Sequence, residues 1–511
     1  MSALAPIHGT CSQPSHERFT RRSWSDRLGS ILLGTMIVGL ASCGGGGGGG
    51  GGNGFIPLAL TPPPPASPPP PPPAVPVPDA PAPPAGPAAT YAVSGNVSGL
   101  LGSGLVLQNN AGDDLAVAAN GNFSFPTKLL GGKGYAVTIK SQSRILTRVC
   151  TVSNGVGTVA DAAVTNVAVT CAAPAARFAY VTNRDSDNLF PYTVDASTGV
   201  LGTAGPMVGT GNGPSSVAVE PTGRFAYVAN QGDGNVSAYI VNVSTGALSP
   251  MAVPPVAAGS FPIFITVDPT GRFAYVVNIS SHNVTGYTID ASTGALSPMA
   301  VPTVAAGSFP VFITVDPTGR FAYVANSVSN NVSGYTIDAS TGALSPMATP
   351  MVPAGVTPTS VAVDPTGRFA YVTNANSNNV SAYTIDAGTG ALSPMVAVPT
   401  FETGRNPSSI AVDPTGRFAY VTNTWDNTVS GYSIDAVTGA LSPMATPTVA
   451  ARSYPFAITV DPTGRFAYAT NSISKDISGY AIDASSGALG PTAVPTVATG
   501  GIRPQSLVLS R

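Results

Sequence analysis

The residues best suited to binding chemistry stand in the variable segments of a repeat that fills the C-terminal two-thirds of the chain. Three arginines lie just before strand-like runs in consecutive copies, and we expect them to occupy equivalent places: Arg405, Arg452 and Arg503. Three more residues of the same sector complete the candidate ligand-binding set: Arg184, Trp425 and Asp426. Guanidinium groups fit carboxylates and phosphates, and an indole ring offers a stacking surface. The set predicts a pocket for an anionic or hydroxyl-rich ligand. The alternative is ordinary surface charge on repeat copies whose sequences are free to drift.

Other reactive side chains are few. The histidines, His8, His16 and His282, are scattered, and no cysteine or histidine cluster has the spacing of metal ligands. The formal net charge of -2 gives no long-range field towards nucleic acid. We therefore expect no structural metal, no cofactor and no nucleic-acid partner. Cys150 and Cys171 are 21 residues apart and are the only pair that can form a structural disulfide.

The N-terminus predicts an export signal over residues 1–43. Arginines precede an apolar run, 28–40, which is too short to span a bilayer and is typical of a signal peptide. The run leads into Leu-Ala-Ser-Cys, which ends at Cys43 and resembles the lipobox of bacterial lipoproteins. The resemblance implies a lipid on Cys43 that anchors the protein to a membrane of the bacterial cell envelope, with Gly44 favouring the outer membrane. An ordinary secretory signal with a chance cysteine is the alternative.

A glycine-rich and then proline-rich segment, 44–89, follows, and we expect a disordered tether. Residues 90–173 form short runs of alternating apolar and polar residues divided by Gly and Asn turns. Asn120-Gly121 between two such runs predicts a β-hairpin. The pattern resembles small prealbumin-like β-sandwiches, and we expect a spacer or docking module that a Cys150–Cys171 bridge stabilises.

Residues 174–511 are a repeat. The phenylalanine of RFAY recurs at spacings of 47 to 49 residues: Phe178, Phe225, Phe273, Phe321, Phe369, Phe418 and Phe466. Each full copy holds four strand-like runs joined by turn sequences such as Asp-Pro-Thr-Gly and Ala-Ser-Thr-Gly. The first copy lacks its leading run, and residues 504–511 supply one. The sequence predicts an all-β chain, in which a seven-bladed β-propeller closed by its C-terminal strand follows the small β-sandwich and the disordered tether.

The connections of a four-stranded blade fall on two faces of the disc. The turns after the first and third strands are nearly the same in every copy, and we interpret their Asp and Arg residues as turn formers and solvated ions. The loops after the second and fourth strands vary, and they carry the candidate arginines. We expect a ligand on this variable face, and the pattern fits a protein, a glycan or a small anion.

The RFAYVTN and RFAYVAN cores and the Pro-Xaa-Gly-Arg turns resemble YVTN-type propellers and the seven-bladed lactonase family, which includes 6-phosphogluconolactonases. A hydrolytic lactonase needs a general base, and the one candidate is His282, the only histidine of the propeller. The His-Pro-Arg type of strand start that the family's sugar-lactone hydrolases carry is absent. We therefore favour a surface-anchored or periplasm-facing module with a binding or envelope-structural role. An exported lactonase acting on a small lactone is the alternative, so enzymatic activity stays an open question.

Overall fold

The structure is a computed structural model that describes residues 88–145, 147–395 and 399–511. The predicted signal peptide with Cys43, and the predicted tether as far as residue 87, lie outside these ranges. The described chain is almost entirely β-strand, with one short 3₁₀ helix at Arg184–Ser186. None of its helices is long and apolar enough to cross a membrane.

The residues before the propeller form a small sandwich of two four-stranded sheets around its own apolar core. The first sheet contains, in spatial order, Gly121–Ser124, Val93–Ser98, Val164–Ala172 and Val149–Ser153. The second contains Asp113–Val117, Leu105–Asn109, Gly134–Ser141 and Val156–Thr158. A separate pair consists of Thr90–Tyr91 and Leu129–Leu130. The disulfide between Cys150 and Cys171 joins directly opposed residues of two neighbouring strands in the first sheet.

The predicted hairpin at Asn120-Gly121 is wrong. The strand before it pairs with Leu105–Asn109, whereas the strand after it pairs with Val93–Ser98 in the other sheet. The Asn120 side chain accepts a hydrogen bond from the Leu100 backbone N–H at 2.7 Å and donates to the Leu100 carbonyl at 3.1 Å. Because these bonds tie the turn to a different connection of the sandwich, the chain crosses from one sheet to the other.

Seven antiparallel sheets form the propeller, which confirms the predicted fold, and we number them as blades 1 to 7 in the order of their RFAY phenylalanines. The innermost strands of blades 2 to 7, followed by that of blade 1, are Pro214–Val219, Pro262–Val267, Pro310–Val315, Pro358–Val363, Pro407–Val412, Pro455–Val460 and Pro504–Ser510. The second strands are Phe178–Asn183, Phe225–Asn230, Phe273–Asn278, Phe321–Asn326, Phe369–Asn374, Phe418–Asn423 and Phe466–Asn471.

The outer half of each blade completes the sheet. The third strands are Asn188–Val194, Asn235–Val241, Asn283–Ile289, Asn331–Ile337, Asn379–Ile385, Thr428–Ile434 and Asp476–Ile482. The outermost strands of blades 3, 4, 6 and 7 are continuous: Leu296–Ala305, Leu344–Pro353, Leu441–Ala450 and Leu489–Ala498. Those of blades 1, 2 and 5 are each in two pieces: Leu201–Thr203 with Val208–Gly209, Leu248–Pro250 with Val256–Ala257, and Leu392–Pro394 with Thr400–Glu402.

The C-terminus closes the ring. Pro504–Ser510 pairs antiparallel with Phe178–Asn183 and thereby becomes the innermost strand of blade 1. It also lies against the innermost strands Pro455–Val460 and Pro214–Val219 of the two neighbouring blades. The second strand of every blade is buried along its whole length, because each blade packs against a neighbour on both of its faces.

The turns after the first and third strands hold each blade to the next, and we call this side of the disc the turn face. In blade 4 the Asp316 carboxylate accepts hydrogen bonds from the backbone N–H groups of Thr318, Arg320 and Phe321 at 2.6–3.0 Å. The Arg320 guanidinium stacks on the Phe321 ring at 4.8 Å and donates to the Ala387 carbonyl of blade 5 at 2.9 Å. The same set of contacts recurs in blades 3 to 7.

The aspartates that begin the turns after the first strands are buried, so the expectation that they are solvated ions is wrong for them, whereas those that begin the turns after the third strands, such as Asp290, are exposed. Five of the buried aspartates are 2–3% exposed: Asp268, Asp316, Asp364, Asp413 and Asp461. A carboxylate with several backbone N–H donors has replacements for the water that it loses on burial. These residues are turn formers, as predicted, and the turn face is a structural frame.

Candidate functional site

The loops after the second and fourth strands form the opposite side of the disc, which we call the loop face. Each innermost strand begins with a proline, which we call the leading proline. In each blade the side chain of the third residue of the loop after the second strand accepts a hydrogen bond. The donor is the backbone N–H of the residue two positions before the leading proline. In blade 5, for example, Ser377 Oγ accepts from the Val356 N–H at 2.7 Å. In blades 1 and 3 to 6 the side chain of the fourth residue also reaches the next blade; Asn378 Oδ1, for example, accepts from the Asn406 N–H at 2.8 Å. The loops therefore form a fixed rim.

A cavity of about 540 Å³ opens at the centre of this rim, at the mouth of the propeller channel. Its lining comes from the first residues of the innermost strands and from the adjoining loops: Arg184, Ser215, Ile263, Phe264, Ile279, Val311, Phe312, Thr359, Ser408, Ser409, Tyr454, Phe456, Ala457, Ser472, Ile473, Arg503, Gln505 and Ser506. A volume of this size is typical of a small-molecule site.

The walls of the cavity differ from blade to blade. Blades 3 and 4 supply an apolar wall, in which the rings of Phe264 and Phe312 lie 4.0 Å apart between centroids. Blades 5 and 6 supply Thr359 and Ser408, whose hydroxyl groups donate to the backbone carbonyls of Pro407 and Phe456 in the next blade at 3.0 and 2.7 Å. The cavity therefore has one apolar wall and one wall of small polar side chains.

Blade 1 supplies the positive charge. Arg184 and Arg503 both line the cavity, and the Arg184 N–H donates to the Arg503 carbonyl at 3.1 Å. Arg503 Nη1 lies 3.7 Å from the Asp185 carboxylate, but both side chains are about half exposed, so the pair is weak. For Arg184 no ion pair occurs within the described part of the chain. One edge of the cavity is therefore lined by two arginines, with Asp185 beside one of them.

The other two predicted arginines lie outside the cavity lining and are paired within their own blades. Arg405 Nε donates to Asp426 Oδ1 at 2.6 Å, and Arg452 Nε donates to Asp476 Oδ2 at 3.2 Å. The three arginines do not occupy equivalent places, because Arg405, Arg452 and Arg503 precede their leading prolines by two, three and one residues. Of the three, the structure brings only Arg503 to the cavity.

Trp425 and Asp426 belong to the rim and not to the cavity lining. The Trp425 side chain is 58% exposed. Asp426 is the third residue of its loop, and its carboxylate accepts the Arg405 N–H at 2.6 Å. That hydrogen bond, together with the Arg405 guanidinium, lowers the pKa of the Asp426 carboxyl. Asp426 therefore holds the loop in shape.

His282 has a structural role in the rim. It is the fourth residue of its loop, has a φ of 51°, and its Nδ1 accepts a hydrogen bond from the Phe309 N–H of the next blade at 3.1 Å. Asn330 and Asn427 make the same contact in their own blades. His282 does not line the cavity, so it is not placed to act as a general base there.

The apolar and hydroxyl walls were missed by the sequence reasoning. They come from the two residues after each leading proline, which read Ser-Ser, Ile-Phe, Val-Phe, Thr-Ser, Ser-Ser, Phe-Ala and Gln-Ser around the ring from blade 2 to blade 1. These pairs vary while the RFAY strand beside them does not, and that variation is the signal that could have identified them.

A model of the family described as "Lactonase, 7-bladed beta-propeller" matches residues 120–260, 265–357 and 310–502. The chain belongs to this lactonase family. No protein of the curated set matches it significantly in sequence.

Solved structures share the propeller of this family member. A periplasmic gluconolactonase from Pseudomonas aeruginosa has 21% identity and a TM-score of 0.56, over 65% of this chain and 99% of its own. A candidate 6-phosphogluconolactonase from Bacteroides uniformis has 17% identity and a TM-score of 0.58, over 65% and 98%. A protein from Lactobacillus plantarum has 21% identity and a TM-score of 0.57, over 66% and 100%. At these identities the likeness shows the fold alone.

In this lactonase-family propeller two arginines line one edge of the cavity, and guanidinium groups pair with anions and with developing negative charge. Among its described lining residues there is no carboxylate and no imidazole. The described chain also contains no cluster of three or more His, Cys, Asp or Glu residues placed to hold a metal ion.

The hydrogen-bonded frame beneath the rim changes beside the edge that Arg184 and Arg503 line. In blades 2 to 6 the buried Asn that ends the second strand accepts the backbone N–H of a glycine three residues before the leading proline, at 3.0–3.2 Å. In blades 1 and 7, Asn183 Oδ1 and Asn471 Oδ1 are buried and find no donor among the described residues. Arg452 replaces the glycine in blade 7. The two blades that depart from the common frame are those at and beside the two cavity arginines.

Proposed function

We propose that this lactonase-family protein takes a small lactone into the loop-face cavity and hydrolyses it. The observation that carries the proposal is the position of Arg184 and Arg503 at one edge of a cavity whose other walls are apolar and hydroxyl-bearing. The family match supports the proposal, and one solved neighbour of the same fold is itself a periplasmic gluconolactonase.

The chemistry requires water to add to the ring carbonyl of the lactone. Negative charge then develops on the carbonyl oxygen, and a preorganised donor at such an oxyanion contributes about 10²–10³ in rate. Arg184 and Arg503 are the cavity groups that can supply this stabilisation. The ring C–O bond breaks and the oxygen of water stays on the carbon. One proton of the water goes to the leaving alkoxide and the other to solvent as the carboxylic acid ionises, so the product is a hydroxy acid whose carboxylate can pair with the same arginines.

Lactone hydrolysis by single-site variants tests this proposal. Arg184→Gln and Arg503→Gln remove one cavity cation each, and we expect each to lower kcat/KM by about 10²-fold, the loss typical of one oxyanion donor. Arg405→Gln is the matched control, because Arg405 is an arginine of the same rim that does not line the cavity. It should leave kcat/KM within about twofold. Equal losses from all three variants would contradict the assignment of the site.

The second candidate function is a binding module without turnover. It is favoured by the lack of any carboxylate or imidazole in the described lining of the cavity, since general acid–base catalysis contributes about 10²–10⁴ in typical enzymes. Titration calorimetry with the lactone and with its hydroxy acid separates the two functions. Binding of the hydroxy acid with no lactone turnover above the rate in buffer would select the binding module.

We also propose that the protein is exported and anchored by a lipid on Cys43, and the lipobox-like sequence Leu-Ala-Ser-Cys supports this location. Cys43→Ser should move the protein from the membrane fraction to the soluble fraction after export. A wild-type protein that is soluble after export would refute the anchor.

A further inference from the structure

The cavity continues into the disc as an uncharged channel. A second space of about 270 Å³ shares Phe264, Phe312 and Ser506 with the cavity and lies deeper between the innermost strands. Its remaining lining is mostly Val, Ile, Ala and Leu, and none of its described lining residues is charged. The polar exceptions deep in this channel include Thr266 and Thr459. A ligand that reaches below the mouth therefore meets mostly apolar side chains, together with the backbone groups on the unpaired edges of the innermost strands.

The far end of the channel lies beside the small sandwich. A further cavity of about 420 Å³ there is lined by prolines of the turn face and by Leu101, Thr147 and Arg148 of the small sandwich. A strand rises about 3.3 Å per residue, so the channel runs roughly 10 Å from Ser506 to the level of Leu509. An apolar chain that enters from the loop face has about this length of channel before it reaches charged residues of the far cavity, such as Arg148 and Glu220.

Exposed apolar side chains also stand beside the open mouth. Phe261 and Phe309 are 51% and 45% exposed, and Ile473, which lines the cavity, is 64% exposed. Both phenylalanines have positive φ values, 58° and 57°, which bulky side chains seldom adopt. These side chains leave apolar surface exposed at the entrance. A fully polar ligand would gain no binding energy from covering it.

We propose that the lactone of this site has an apolar tail, with its ring at Arg184 and Arg503 and its tail against Phe264 and Phe312 and down the channel. This inference rests on the proposed function for the position of the ring. The two guanidinium groups match the charge of the hydroxy-acid product, and the uncharged channel matches an alkyl chain. A polyhydroxylated sugar lactone fits less well, because hydroxyl groups against the apolar wall would lose their hydrogen bonds to water without replacement.

A chain-length series tests the inference on the full-length protein. The substrates are γ-butyrolactone, γ-octalactone, γ-decalactone and γ-dodecalactone, with glucono-δ-lactone as the polar comparison. Each buried methylene group should raise kcat/KM about three- to fourfold until the channel is filled. If the sugar lactone and the short lactone are hydrolysed as well as the long ones, the tail site is refuted while the proposed hydrolysis stands. If no lactone is hydrolysed but alkyl carboxylates bind more tightly with each methylene, the tail site stands and the hydrolysis is refuted.

Variants that narrow the channel give an independent result. Thr459→Phe and Thr266→Phe place a ring in the deep channel from two different blades, so that one remains informative if the other fails to fold. Each should abolish the gain from the longer chains and leave γ-butyrolactone hydrolysis within about twofold. Thr448→Phe, on the exposed outermost strand of blade 6, is the matched control and should leave the whole series unchanged. A full chain-length gain in both folded channel variants would overturn the inference.

Discussion

The turn face and the loop face of the propeller are built by the same repeat but have different roles. On the turn face blades 3 to 7 repeat one set of contacts, in which a buried aspartate caps the turn and an arginine reaches the next blade. On the loop face the hydrogen bonds that hold the loops are also repeated, but the side chains that line the central cavity change from blade to blade. Repetition therefore marks the frame, and departures from it mark the site.

The contrast also explains why charge alone was a poor guide to the site. Arg405 and Arg320 both look like free cations in the sequence, yet Arg405 pairs with Asp426 on the loop face and Arg320 bonds a carbonyl of the next blade on the turn face. Arg184 differs because its loop gives it no acidic partner within the described residues. A cation that the frame does not use is the better candidate for a ligand contact.

Deleting Pro504–Arg511 should have the largest effect, because this segment runs from the loop face to the turn face and closes the ring for both. Its loss leaves Phe178–Asn183 as an open sheet edge and removes the innermost strand between blades 7 and 2. We expect the cooperative thermal transition of the propeller to be lost. Deleting Arg511 alone is the control and should keep the transition. An unchanged melting curve after the full deletion would show that the two faces do not depend on ring closure.

At high pH we expect the propeller to unfold as a whole, because buried tyrosine hydroxyl groups stabilise the blades near both faces. Tyr323 donates to the Gly390 carbonyl at the turn face, and Tyr335 donates to the Ala305 carbonyl below the loop face. Burial raises the pKa of Tyr323, and it raises the pKa of Tyr335 to about 12. Because these values exceed the pKa of about 10 for an unfolded chain, the stability from the neutral hydroxyls is complete below pH 10 and is lost as the pH rises towards 12.

The measurement for that prediction is tyrosinate absorbance alongside circular dichroism from pH 8 to 13. Tyrosinate from the buried residues should appear together with the loss of β-structure. Complete tyrosine ionisation while the fold stays intact would contradict this expectation.

Two glycines of the turn face test how strictly the frame is packed. Gly342 has a φ of 74°, and a Cβ there would lie 2.3 Å from the ring of Phe273 in the preceding blade. Gly342→Ala should therefore destabilise the propeller by about 3 kcal/mol, from backbone strain and overpacking together. Gly388→Ser is the matched control, since Ser340 fills that position in the previous copy and bonds Asp338 at 2.6 Å. Its effect should be within about 0.5 kcal/mol, and denaturant melts of both variants provide the comparison.

His282→Asn should have the smallest effect, because Asn330 and Asn427 already make the same rim contact. We expect stability within about 0.5 kcal/mol of wild type and no change in lactone hydrolysis. A large loss of kcat/KM with an unchanged melting temperature would assign His282 to catalysis and would extend the site beyond the described lining of the cavity.

The sequence predicted the frame better than the site, and the reason is physical. Repeated Phe-Ala-Tyr strands and Asp-Pro-Thr-Gly turns are set by packing that recurs from blade to blade, so their spacing revealed seven blades, and the leading run missing from the first copy revealed the closing strand. The cavity depends on which loop residues point to the channel and which are already paired. Arg503 and Arg184 were predicted and line it, whereas Phe264 and Phe312 were overlooked because apolar residues after a proline look like ordinary strand core.

The most direct test of the account is the affinity for a hydroxy acid of two double variants that remove equal charge from the loop face. In Arg184→Gln/Arg503→Gln both cavity cations are lost, whereas in Arg405→Gln/Arg452→Gln both paired rim cations are lost. Titration calorimetry with 4-hydroxydecanoate should give a Kd at least about 10²-fold weaker for the first variant, since two charge-assisted hydrogen bonds are removed, and within about twofold of wild type for the second. Equal weakening in the two variants would show that the rim acts only through its overall charge, and the cavity would then not be the binding site.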